Sequence, residues 1–147
     1  MKSKQNVRHY LFDVEMLRRR LLRPYFIELG LTVGQGQPRI LYELRKCDGM
    51  SQKELSDACL IEVTTMSRTL DKLEKMGLVN RTDNPECRRS WVISLTPLGE
   101  EKADKVIELF KMADEVFSDG MTAEEVEKLY ALMDVVEKNI EKHGEKR

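Results

Sequence analysis

Thr64, Thr65, Ser67, Arg68 and Lys72 crowd one short stretch of this chain, and the adjacent Arg88 and Arg89 follow a little further on. Short hydroxyls reach base edges or phosphate oxygens at little ordering cost. A guanidinium reads guanine through two parallel hydrogen bonds, and each such pair discriminates by ~1–3 kcal/mol. Paired arginines also suit a narrow minor groove, where the negative potential is enhanced. Contact with double-stranded DNA is the chemistry this set could do. The plainer alternatives are polar surface for the three hydroxyls, an internal salt bridge for Arg68 and solubility charge for Arg88 and Arg89. Catalysis has poor raw material: the two histidines, His9 and His143, are far apart near the termini. The chain has no HExxH, no phosphate-cradling glycine loop, no zinc-like Cys/His spacing and no nucleophile elbow. An enzyme, a cofactor and a metal site are therefore not expected.

Two further groups invite a role. Cys87 precedes Arg88-Arg89, whose charges would favour the thiolate, the reactive form, so it is a candidate redox residue. A harmless substitution in a tolerant loop is the favoured reading. Cys47 and Cys59 stand at helix ends beside apolar residues and are expected in the core. Three cysteines without paired spacing suit a reducing cytoplasm and supply no disulfide framework. Arginines gather from Arg18 to Arg23 ahead of Tyr25, so Arg20 and Tyr25 are candidates to hold a small anionic or aromatic effector. Pairing with the acidic tail is the rival use. Charge is uneven: residues 1–36 carry +4, residues 37–96 carry +1 and residues 97–147 carry −6, which together give the net −1. The middle is thus free to present a local basic surface. No apolar run approaches the ~18 residues of a membrane span, and the charged start is unlike a secretion signal, so a cytoplasmic protein is expected.

The elements that must position these groups follow from periodicity and punctuation. From about Gln5 to Leu29, Val7, Tyr10, Val14, Leu17 and Leu21 recur at spacings of three and four, a helix face, with Pro24 expected to kink it. Gly34 and Gly36 form a loop, and Pro38 opens a helix reaching about Lys46. Ser51-Gln52-Lys53-Glu54 is a capping box that starts a short helix ending near Ala58. After four connecting residues, Cys59 to Glu62, a helix runs from about Val63 to Met76. Val63, Met66, Leu70 and Leu73 form its inner face, and Gly77 stops it. This is a helix-turn-helix. Leu78 to Thr82 and Trp91 to Leu95 read as strands, the latter alternating Trp91, Ile93 and Leu95, around a basic-tipped turn from Asp83 to Ser90. That hairpin completes a winged helix.

Thr96-Pro97 opens another helix, with Leu98, Ala103, Val106, Phe110, Ala113 and Phe117 on one face, broken at Asp119-Gly120. Thr122 to Glu125 is a second capping box. Beyond it Val126, Leu129, Met133, Val136 and Ile140 step like a coiled-coil seam, and His143 to Arg147 should fray. A winged module cannot cover three extra helices alone. Their apolar stripes predict a homodimer.

In order of elements and in several motifs the sequence resembles the MarR family of regulators over about residues 7–140. The motifs are Ser51-Gln52-Lys53-Glu54-Leu55, Thr64-Thr65-Met66-Ser67-Arg68, Leu73-Glu74-Lys75-Met76-Gly77-Leu78-Val79 and Leu95-Thr96-Pro97-Leu98-Gly99. The resemblance implies a triangular homodimer and repression of nearby genes, relieved by a small ligand or by oxidation. The expected fold class is mostly α with a small β-wing, a single domain over 1–147. Its winged helix-turn-helix spans about 37–96, and dimerisation helices span about 5–29 and 97–142. One residue departs: the family's wing reads Asp-x-Arg, and here Cys87 holds the acid position while Arg89 matches the arginine. Asp83 or Glu86, with Arg81 or Arg68, could replace the missing ion pair.

Overall fold

The structure, a computed structural model, describes residues 6–32, 34 and 36–144, with Arg88 described by its backbone only. The Gln5 start expected for the first helix, Gln35 of the glycine loop and the tail residues Glu145 to Arg147 lie outside the described residues.

Helix α1 spans Val7–Glu28, capped by the Asn6 carboxamide, which accepts from the His9 amide at 2.9 Å. It continues through Pro24 to Glu28, so proline removes a donor there without ending the helix. Its last turn carries no basic residue of its own. Instead Lys102 donates to the Leu29 carbonyl at 2.6 Å, placing a cation where the helix dipole is negative. Helix α2, Gln37–Lys46, starts on Gly36 at φ +80°. That left-handed backbone favours glycine, and a Cβ there would also press on the tip of the Ile61 side chain. Gln37 is fully buried, and its carbonyl oxygen accepts from the Thr32 amide at 2.8 Å, tying the preceding loop to the core.

Helices α3, Gln52–Cys59, and α4, Val63–Lys75, form the helix-turn-helix. The Ser51 hydroxyl caps α3 by accepting from the Glu54 amide at 3.1 Å. Met50–Ser51 also forms a strand, β1, which two residues of sequence could not announce. It pairs antiparallel with β3, Cys87–Leu95, which pairs on its other side with β2, Val79–Asn84, giving the order β1-β3-β2. Both long strands outrun the segments read from sequence. The turn between them shrinks from the expected eight residues, Asp83 to Ser90, to Pro85 and Glu86.

The core of this module is Ile40, Leu41, Leu44, Leu55, Met66, Leu70, Leu73, Leu78 and Ile93, each essentially inaccessible. Three expectations about inward faces need correction. Val63 is 61 % exposed and Thr69 is buried in its place, because α4 begins beyond the edge of the sheet and helices it packs on. Trp91 is 46 % exposed: it shares the face of Ile93, but the hairpin extends past the helical core there. Leu98 and Phe117 are also exposed, and only the middle of their stripe is covered.

Helix α5, Pro97–Ser118, is docked at its start. The Thr96 hydroxyl donates to the Gly77 carbonyl at 2.6 Å and accepts from the Gly99 amide at 3.0 Å, and the Thr96 amide donates to the Leu78 carbonyl at 3.0 Å. The approach is so close that a Cβ at Gly99 would stand 2.0 Å from the Leu78 carbonyl oxygen. Phe110 packs edge-on to Phe26 at 6.2 Å and tilted against Tyr42 at 5.1 Å, joining α5 to α1 and α2.

The chain divides into two compact units, one through Lys111 and one from Met112, so α5 contributes to both. In the second, Thr122 and Glu125 form the complete capping box: each backbone amide donates to the other's side chain, at 2.9 and 3.2 Å. Helix α6, Ala123–Gly144, buries no residue in the single chain.

Candidate nucleic-acid interface

Helix α4 buries Met66, Thr69, Leu70 and Leu73, and turns Thr64, Thr65, Arg68 and Lys72 outward, with Ser67 half-buried at the boundary. The five residues picked from sequence therefore share the uncovered side of one helix. Thr69 is kept inside by donating its hydroxyl to the Thr65 carbonyl at 2.9 Å, which satisfies a polar group that burial would otherwise penalise.

Arginines in the winged module divide into two kinds. Arg39 pairs with Glu43 at 3.0 Å and Arg45 with Asp104 at 2.8 Å. Arg81, on β2, is held by two carboxylates of α4, bonding to Asp71 and, at 3.0 Å, to Glu74. Its side chain is only 15 % exposed. Burial opposes its charge, but the two carboxylates outweigh that and raise its pKa. Among the described residues no carboxylate pairs with Arg68 or Arg89, both exposed. The described residues thus give Arg68 no internal salt bridge.

The wing holds its shape by a different means from the ion pair considered above, since Arg81 turns to α4 and not to Asp83 or Glu86. Asp83 pairs with Trp91 and the next residue, Asn84, pairs with Cys87, so Arg88, Arg89 and Ser90 bulge from β3 without partners on β2. Asn84 pins this bulge. Its amide nitrogen donates to the Ser90 hydroxyl at 2.9 Å, and its oxygen accepts from the Glu86 amide at 3.0 Å across Pro85. From sequence Asn84 is one of the turn formers of this loop, and its role in pinning the bulge does not show there. Cys87 is exposed beside the bulge and lies on the strand, not in a loop.

The other thiols differ. Cys47 is exposed, contrary to its expected place in the core, because it caps α2 where the chain leaves the helix. Cys59 is partly buried, and burial pushes its thiol up to about 12, with Glu43 nearby adding to the effect. In the arginine cluster of α1, Arg18 and Arg19 are both taken by Glu15 of the same helix, at 2.7 and 2.9 Å. The Arg18 hydrogen bond draws the Glu15 carboxyl down to about 2 against the effect of burial, and Arg19 assists. Arg20 and Tyr25 remain exposed.

Helix-turn-helix, uncovered polar face and pinned basic wing together have a known counterpart. The MarR family profile matches residues 34–91. The HTH-type transcriptional regulator YybA of Bacillus subtilis (strain 168), itself uncharacterized, is 32 % identical over 124 residues, covering 82 % of this chain and 79 % of that one. The chain belongs to the MarR family. Its winged-helix fold, mostly α with a small three-stranded antiparallel sheet, is that of MarR regulators of known structure. One such structure, a MarR family transcriptional regulator from Listeria monocytogenes complexed with 26mer DNA, superposes with a TM-score of 0.84 at 24 % identity, over 93 % of this chain and 90 % of that one. Another, a cysteine-to-serine variant of MarR from E. coli complexed with operator DNA, gives 0.77 at 26 % identity, over 86 % and 90 %. This MarR-family chain is thus a transcriptional regulator, and no helix among its described residues is long and apolar enough to cross a membrane.

Proposed function

We propose that this regulator is a homodimeric repressor that binds an inverted-repeat DNA site, with α4 in the major groove and the wing in the minor groove. The observation that carries this reading is the contrast among arginines. Arg39, Arg45 and Arg81 are each ion-paired within the chain, whether exposed or covered, whereas Arg68 on α4 and Arg89 on the wing are exposed with no carboxylate partner among the described residues. Thr64, Thr65, Ser67 and Lys72 share the α4 face, and Arg88 precedes Arg89 on the bulge. Two DNA-bound relatives of the same fold support the choice of partner.

The dimer reading rests on apolar surface that the single chain leaves open. Val7, Tyr10, Val14 and Leu17 on α1, and Leu129, Met133 and Ile140 on α6, are each between 42 % and 63 % exposed. Continuous stripes of this kind are rare on monomers. A two-fold dimer requires two half-sites about one helical turn apart, ~10 bp centre to centre. Repression would be released by a small anionic or aromatic ligand at Arg20 and Tyr25, or by oxidation of exposed Cys87. Light scattering and footprinting on duplexes selected from the source genome test the proposal. A dimer protecting a symmetric site is expected. A monomer at micromolar concentration, or an asymmetric single-site footprint, contradicts it.

A further inference from the structure

The turn that leads into α4 carries an apolar pair that folding does not use. Leu60 is 87 % exposed and Val63, the first residue of α4, is 61 % exposed. Leu60 also adopts φ +54°, which no other non-glycine residue among those described shares. It ends α3 in the left-handed conformation, with the Ile61 amide returning to the Ser56 carbonyl at 3.0 Å. Glycine ordinarily fills that position because it alone escapes the clash of a Cβ. A leucine there is doubly disfavoured, by backbone strain and by its exposed side chain. Strain held without a folding gain points to a surface role.

The surroundings say which role. Leu60 and Val63 rim a shallow depression of about 490 Å³ together with Ser56, Asp57, Ile61 and Glu62. Two carboxylates beside the pair make the spot unfavourable for a phosphate. The patch is continuous with Thr64 on the proposed base-reading face. Within a major groove the apolar group on a base edge is the thymine 5-methyl, and aliphatic side chains are its usual contact. We infer that Val63 and Leu60 form an apolar reader that selects thymine at a fixed position of each half-site by covering its methyl group.

This inference rests on the DNA-binding reading above, and the test separates the two. Replacing thymine by deoxyuridine removes only the methyl and leaves the pairing and minor-groove edges intact. With the full-length dimer and its selected duplex, each thymine is exchanged in turn. Affinity is expected to fall about fourfold for the reader's thymine in one half-site, the factor that matches burial of one methyl at ~0.8 kcal/mol. Exchange in both half-sites should compound that to roughly fifteenfold. Val63→Ala and Leu60→Gly should lose the sensitivity at that position alone. Leu60→Gly should also melt no lower than the parent, since glycine accepts the left-handed turn, so its change in binding is not a folding defect. A flat deoxyuridine scan for the parent overturns the inference, as does undiminished sensitivity in both variants. Variants that bind every duplex like the parent but change its oligomeric state would assign the patch to protein contact and also overturn it. Failure of the parent to bind any duplex sequence-specifically would remove the DNA reading itself, and the inference with it.

Discussion

The root and the tip of the wing hairpin use the same residue type in opposite ways. At the root, Arg81 is three-quarters or more covered and clasped by Asp71 and Glu74, which ties strand β2 to helix α4. Ile93 is buried beside it, and Thr96 and Gly99 lock the strand's exit. At the tip, Arg89 is exposed on a bulge without backbone pairing to β2, which Asn84 and Ser90 secure by side-chain hydrogen bonds. A paired arginine positions; an unpaired one on a pinned loop is available to a ligand. The difference teaches that the wing's aim is set at its root, while the contact proposed for it lies at its tip.

The largest expected effect breaks the root. Gly99→Ala drives a methyl against the Leu78 carbonyl, a backbone atom that cannot rotate away, and should destabilise the fold by about 3 kcal/mol in urea unfolding. Unchanged stability would mean that α5 docks less closely than described. Arg81→Met keeps the stem and removes both ion pairs. About 1 kcal/mol is expected to be lost, because Asp71 and Glu74 are half in solvent and their pairs are partly screened. Its salt dependence of DNA binding should stay parental, since Arg81 is not offered to phosphate.

At the tip the stability change should be smaller and the binding change larger. Asn84→Ala removes one part-buried and one exposed hydrogen bond and should shift unfolding by less than ~1 kcal/mol, while faster dissociation from DNA reports a loosened bulge. Parental dissociation would show that the bulge holds itself. The smallest effect lies outside the hairpin. The folded-state pKa of Glu15, about 2, is below its ordinary 4.5, so its ion pairs with Arg18 and Arg19 add stability above pH 4.5 that is lost as pH falls toward 2. Being over a third exposed, the pair should contribute under ~1 kcal/mol. Thermal melts of parent and Glu15→Gln should differ at pH 7 and converge by pH 2. A gap that widens on acidification contradicts the assignment.

Much of this was readable from residue order. Capping boxes, Pro38, Gly77 and Thr96-Pro97 placed helix ends within a residue or two, because caps act locally. The polar face of α4 was readable too, since Met66, Leu70 and Leu73 force it outward. What escaped depends on partners distant in sequence. β1 exists only because β3 lies beside it. Val63 and Trp91 obey the right period yet run beyond the core that would cover them. Arg81 chose Asp71 and Glu74, which a sequence reading of the wing alone would not consult. Asn84 acts through the geometry of a bulge, a register shift that residue order does not announce.

Operator binding measured across a salt series, for the parent, Arg68→Ala and Arg89→Ala, tests the division of labour most directly. Arg68→Ala is expected to lose ~1–3 kcal/mol on the selected duplex and to relax preference at specific bases. Arg89→Ala should weaken binding to most sequences, A·T-rich flanks most, with a salt slope shallower by about 1. Folded variants that both bind the operator as tightly as the parent, with its salt slope, would contradict the docking of α4 and wing proposed for this regulator.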